Sequence, residues 1–162
     1  MRLKPTTLFL CLIAAAAARA ALASDIMNWQ GSNFPAISLS AINTVNGTST
    51  GTSMLALDIN GNCQISADNS VNAELRGPGG AALVTEYALS FNGNGISASG
   101  GTNVGYTPYN TFLNTPAPVT YVQGDNQVQV TLSVRASQPS GTVLDAGSYT
   151  AQASLTVTWT GP

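Results

Sequence analysis

The chain contains no histidine. That excludes Ser-His-Asp and Cys-His nucleophilic catalysis and any His-ligated metal centre. It has two cysteines, Cys11 and Cys63, and Cys11 falls in the apolar amino-terminal run. With Cys63 alone in the expected mature chain, no disulfide can form within one molecule, although an exported compartment would allow one. A lone thiol is either a reactive group or a small buried hydrophobe, and the strand parity given below places Cys63 inward. Charge is also scarce: Asp, Glu, Lys and Arg together make up 7% of the residues, against about 25% in ordinary soluble domains. Clustered cations are missing, which excludes nucleic-acid binding and a basic membrane-binding face. No segment sustains a helical period, so the helical crossovers of a parallel sheet are absent too.

The amino end reads as a secretory signal. Arg2 and Lys4 precede the apolar stretch Leu8–Ile13 and a run of alanines. Ala21-Leu22-Ala23 supplies a small-x-small cleavage site, so residues 1–23 are expected to be removed and the mature chain to start at Ser24, with cleavage after Ala20 as the alternative. The apolar run is short and broken by Arg19, which argues against a membrane anchor. The mature chain keeps Arg76 and Arg135 against seven acids, a net charge near −5. Uncharged Ser, Thr, Asn and Gln carry its surface, which suits either a simple secreted domain or one that packs into an assembly.

Alternation with period two dominates the rest. Residues 24–45 hold Trp29, Phe34 and the short alternation Ile37-Ser38-Leu39-Ser40-Ala41. Residues 46–53, Asn46-Gly47-Thr48-Ser49-Thr50-Gly51-Thr52-Ser53, have the composition of a flexible linker. Two readings stay open here: an amphipathic segment on a tether, or a first hairpin turning at Asn46-Gly47. The core is expected over residues 54–162. Leu55, Leu57, Ile59, Cys63, Ile65 and Ala67 share one parity. Val71 to Leu75 reads as a short strand, and Leu83, Tyr87, Leu89 and Phe91 alternate up to the hairpin signal Asn92-Gly93-Asn94-Gly95. Pro108, Pro116 and Pro118 exclude a central strand between residues 104 and 118. Val128, Val130, Leu132 and Val134 form the clearest internal strand. The final stretch, Ala146 to Trp159, puts Gly147, Tyr149, Ala151, Ala153, Leu155, Val157 and Trp159 on one face and uncharged polar residues on the other. Short strands at regular spacing predict one all-β domain, a β-sandwich of about seven strands.

Sites for chemistry are few. Asp25, Asp58, Asp68, Glu74, Glu86, Asp125 and Asp145 make no recognisable catalytic pair in sequence. Asp58-Ile59-Asn60-Gly61-Asn62 matches the start of a calcium loop but lacks its later ligands. No catalytic residue, metal or cofactor is expected. Trp29, Tyr106 and Tyr109 are candidate stacking platforms for a self-contained carbohydrate-binding or adhesive domain.

The last strand, with Gly147, Tyr149 two residues on, an alternating Thr/Val run and Trp159, resembles the terminal strand of chaperone–usher pilus subunits, above all the archaic or spore-coat-U-like and F1-capsule-like groups. Trp159 stands farther from the terminus than the usual aromatic, and this chain lacks the disulfide of many relatives. The resemblance implies an immunoglobulin-like sandwich missing one strand, which a donor strand from a neighbouring subunit completes by β-strand addition. It implies head-to-tail copies of the same chain in a cell-surface fimbria, delivered through the periplasm by a chaperone and an outer-membrane usher. The donor side chains would be Phe34, Ile37, Leu39 and Ala41. The acceptor groove would be Gly147, Tyr149, Ala151, Ala153, Leu155, Val157 and Trp159, with Thr48 to Ser53 as the link between subunits.

Overall fold

The computed structural model describes residues 25–161, so the expected signal segment lies outside the described residues. Eight strands follow one another, with two single 3-10 turns between the third and fourth: β1 (Met27–Trp29), β2 (Thr48–Ile59), β3 (Asn62–Ala67), β4 (Val84–Phe91), β5 (Val104–Pro108), β6 (Ala117–Val119), β7 (Gln127–Ser137) and β8 (Leu155–Gly161). They form a five-stranded sheet in the order β1-β2-β7-β4-β5 and a three-stranded sheet in the order β6-β3-β8. Every strand pair is antiparallel. The chain is thus the all-β sandwich that its periodicity predicts.

The alternating residues meet between the two sheets. Leu57, Ile59, Val128 and Val130 of the larger sheet are fully buried, as is Ile65 of the smaller one, and Cys63 is 1% exposed. Phe112, on the loop between β5 and β6, plugs the same core and lies 5.5 Å from the Tyr87 ring, centroid to centroid. β7 is buried at every second position and pairs with β2 on one side and β4 on the other, which makes it the central strand. The prolines sit where their missing N–H does no harm: Pro108 ends the edge strand β5, and Pro118 lies in the edge strand β6.

Several local expectations give way. Thr48 to Ser53 is not a tether but the first half of β2, paired with β7 from Thr48↔Ser137 to Ser53↔Leu132. β-branched threonines alternate there with small residues, a pattern that suits a strand with one close-packed face. Thr48, Thr50 and Thr52 point outward, while Ser49 and Ser53 are buried on either side of Gly51. Val71–Ala73 is a 3-10 turn rather than a strand. Asn92-Gly93-Asn94-Gly95 opens a long loop to β5 instead of a two-residue turn, and the Asn94 side chain accepts from the Ile96 and Ser97 amides. Ile37 to Ala41 forms no strand, and the final strand begins only at Leu155.

Candidate assembly groove

The three strands of the smaller sheet cannot cover the inner face of five. Over the uncovered part runs a groove of about 1100 Å³. Its floor is the larger sheet and adjoining loops, with Leu55, Leu75, Leu83, Tyr87, Leu132 and Val134. One wall is the segment 32–43 and the other is the segment 143–155. Neither wall is a regular strand until Leu155.

From Thr150 onward the backbone of the carboxy-terminal wall is hydrogen-bonded from one side only among the described residues. The Thr150 and Arg76 amides donate to each other's carbonyls at 3.0 Å, Gln152 N–H donates to Asn72 C=O at 2.6 Å, and Asp68 N–H donates to Ser154 C=O at 3.2 Å. From Leu155 onward β8 pairs with β3. Among the described residues no strand pairs with the other edge, because β8 ends its sheet. The Gly-x-Tyr motif docks this wall: the Tyr149 ring lies on Gly77, its hydroxyl donates to Asp145 C=O at 3.0 Å, and Gly147 lies against the Pro78 ring. A side chain at Gly147 would stand 2.5 Å from Pro78 Cγ, so glycine is required by contact.

The seven expected acceptor residues therefore divide. Gly147, Tyr149, Ala151, Ala153 and Leu155 line the groove, whereas Val157 and Trp159 do not. Val157 packs against the core, and the Trp159 ring covers Gly61 at the turn between β2 and β3.

The expected donor residues sit in the opposite wall of their own molecule. Phe34 meets Trp29 edge-on, with ring centroids 5.4 Å apart. Ile37 and Leu39 are half-buried and lie directly on Gly51. The alternation then slips by one residue: Ala41 is exposed and Ile42 turns inward beside Gly47. Ile42 is thus the third apolar side chain of the segment, a position that strict period two misses.

Sequence reasoning also passed over Gln138, which follows β7 and is 6% exposed. Its side-chain Nε2 donates to Ile42 C=O at 2.7 Å, and its Oε1 accepts from Leu144 N–H at 3.0 Å. Its own amide donates to Gly47 C=O at 3.1 Å. One buried amide therefore ties the two walls together. The only signal in the sequence is a polar residue continuing the inward parity of β7.

The remaining candidates are absorbed into the fold. Asp58 accepts from the side chains of Gln30 and Gln127, Asn60 Oδ1 accepts from Ile26 N–H, and Asn62 Oδ1 accepts from Tyr121 N–H. The partial calcium motif is thus a set of hydrogen-bond acceptors that fastens β1 and the β6–β7 loop. Asp125 holds the Ser99 amide at 2.7 Å. Glu86 pairs with Arg135 at 2.7 Å, and the Tyr106 ring stacks on that guanidinium at 4.4 Å. Trp29 and Tyr109 pack against the core. Among the described residues no group of three or more His, Cys, Asp or Glu is placed to hold a metal, and no helix is long and apolar enough to cross a membrane. Burial pushes the Cys63 thiol up to about 11, which keeps it protonated and unreactive at neutral pH.

Comparison of the chain with protein-family models, curated proteins and solved structures finds no match.

Proposed function

We propose that this chain is a structural subunit of an extracellular fibre, a pilus or capsule-like coat, that polymerises head-to-tail by accepting a strand from another copy into the groove. The observation that carries the reading is a groove with an apolar floor that runs beside a chain edge, from Thr150 to Leu155, hydrogen-bonded on one side only among the described residues. An edge of backbone groups without strand partners is a template for pairing with another chain, and uncovered apolar side chains are costly in water. A strand laid along this edge would satisfy the first and cover the second. The donor would be the segment around Ile37 and Leu39 of the next copy, with Phe34 as a further anchor. Because donor and groove are different surfaces, each addition leaves a new open end, and the product is an open filament. A periplasmic chaperone would shield the groove before assembly, and an outer-membrane usher would catalyse the exchange. The amino-terminal residues 1–23, with the pattern of a secretory signal, fit that route.

The test compares two proteins: residues 24–162, and a form in which residues 24–45 are removed and attached after Pro162 through a flexible linker. Conversion of a polymerising chain into a stable monomer by this transfer is the expected result. A well-folded monomer of residues 24–162 that stays monomeric at high concentration, and is unaffected by removal of the segment, would refute the reading.

A further inference from the structure

Glycine in the middle of a strand weakens it unless close packing demands it. Gly51 lies within β2 and has no positive φ, so its backbone would accept other residues. What demands glycine is the segment above it: a Cβ there would stand 2.5 Å from Ile37 Cγ2 and 3.0 Å from Leu39 Cδ2. Ser49 and Ser53, its inward neighbours two residues away on either side, are small and buried at 8% and 7% exposure. The strip Ser49-Gly51-Ser53 is a shallow seat shaped for residues 37–42.

The seat holds the segment weakly. Ile37 and Leu39 stay half-exposed, and the segment makes no strand pairing among the described residues. Its backbone is tied by Ser40 N–H to Ser49 Oγ at 2.9 Å and by Ile42 C=O to Gln138. Ser53 Oγ, on the same inward face of β2, is buried with no partner. The adjoining groove offers the same side chains a floor of Leu75, Leu83, Leu132 and Val134 and offers their backbone a free edge. A strand laid in the groove would cover its apolar side chains and pair its amides along that edge.

We propose that residues 34–42 are a self-docked cap. In the unassembled subunit they sit on their own Ser49-Gly51-Ser53 seat, latched by Gln138, and they must leave both before entering a second copy. This rests on the fibre reading above. The difference between a poor seat in the same molecule and a better groove in the next gives assembly a downhill direction. The turn from Thr44 to Gly47, closed by Gly47 N–H to Thr44 C=O at 2.9 Å with Asn46 at φ +59°, is the hinge. Gln138 makes cap and groove interdependent, because the amide that binds the cap at Ile42 also binds the far wall at Leu144.

The test is a reversible lock. Ser40→Cys and Ser49→Cys are introduced together, since the Ser40 amide already touches the Ser49 side chain; buried Cys63 stays out of the exchange. The oxidised variant is expected to remain monomeric, with assembly slowed at least tenfold, and to form fibres at the wild-type rate once reduced. Oxidised protein that assembles as fast as reduced protein overturns the cap while leaving the fibre reading intact. A pair that cannot be oxidised in the monomer places the segment off its seat and overturns it as well. Gln138→Leu is expected to shorten the lag before assembly several-fold, and an unchanged lag removes the latch. If wild-type protein never assembles, the fibre reading fails and the cap with it. Hydrogen exchange at the Ser40 amide then reports on the docked segment alone.

Discussion

Gly51→Val tests the packing on which the self-docked cap rests. The backbone at residue 51 needs no glycine, and valine is a better strand former in β2 opposite Val134, by up to about 1 kcal/mol. The segment above has no room for it, with Ile37 Cγ2 2.5 Å and Ser38 O 3.2 Å from the new Cβ. Half-burial of Ile37 and Leu39 is worth about 1 kcal/mol each on the scale of apolar transfer. The hydrogen bonds at Ser40 and Ile42 add about 1 kcal/mol each. Release of the segment returns backbone entropy of about 1–2 kcal/mol for each residue freed, so loosening of only two or three residues offsets that loss. Global stability is therefore expected to change by no more than about 2 kcal/mol, because terms of opposite sign nearly cancel. Local structure is expected to change completely. Hydrogen exchange read residue by residue should show loss of protection at Ser40 with protection in β7 retained, and urea melts should show an almost unchanged midpoint. Retained protection at Ser40 would refute the seat. A collapse of the whole sheet by more than about 4 kcal/mol would show that Gly51 serves the sheet rather than the segment.

Leu39→Arg places a charge where an apolar contact is required, at a cost of several kcal/mol; fibres should fail to form while circular dichroism shows a folded subunit. Tyr87→Phe removes the buried bond from the Tyr87 hydroxyl to Ala73 C=O at 2.8 Å. It should cost about 1–2 kcal/mol in urea denaturation, since the carbonyl is left without its partner. The two raised acids set an alkaline limit. Burial lifts Cys63 from 9.0 to about 11, and burial together with the charge of Asp68 lifts Tyr87 from 10.0 to about 12. The unfolded chain releases these protons first, so their contribution is full below pH 9 and is lost as pH rises through 9 to 12. Melting temperature should fall across that window, and Cys63→Ala should remove the first part of the fall. Native Cys63 should resist alkylation at pH 7 and react on unfolding.

The fold was legible wherever side chains strictly alternate. β7 reads directly from Val128 to Val134, and Leu57, Ile59, Cys63 and Ile65 announce an inward face shared by β2 and β3. The register of the amino-terminal half of β2 was not legible, because Ser49, Gly51 and Ser53 carry no hydrophobic signal. Their inward role is to be small, and smallness reads in sequence as looseness. The same stretch that suggested a tether is a rigid surface for another part of the chain. At the other end the error ran in the opposite direction. Residues 146–154 alternate like a strand, yet their partners on one side are loop backbone at Asp68, Asn72 and Arg76, and on the other side there is a groove. A pattern shows which face is apolar but does not show whether a neighbouring strand is present to pair with. Gln138 was invisible for a third reason: its importance lies in joining Ile42 to Leu144, residues far apart in sequence that only the folded chain brings together.

The placement of the two described arginines bears on resistance to proteolysis. Trypsin-like enzymes cut after Lys or Arg, and the described residues contain only Arg76 and Arg135. The Arg135–Ala136 bond lies in the central strand, with β2 on one side and β4 on the other. At Arg76 the carbonyl accepts from Thr150 and the next amide donates to Ala81 C=O, so that bond is fixed on both sides. A protease must draw an extended stretch of chain into its cleft, and neither site can be drawn out while the sandwich is closed. Digestion then proceeds through the opened state, at the pace of the opening equilibrium or, where cleavage outpaces reclosing, of unfolding itself. Resistance of this chain to trypsin-like cleavage is therefore a property of how rarely the sandwich opens, not of how many arginines it carries.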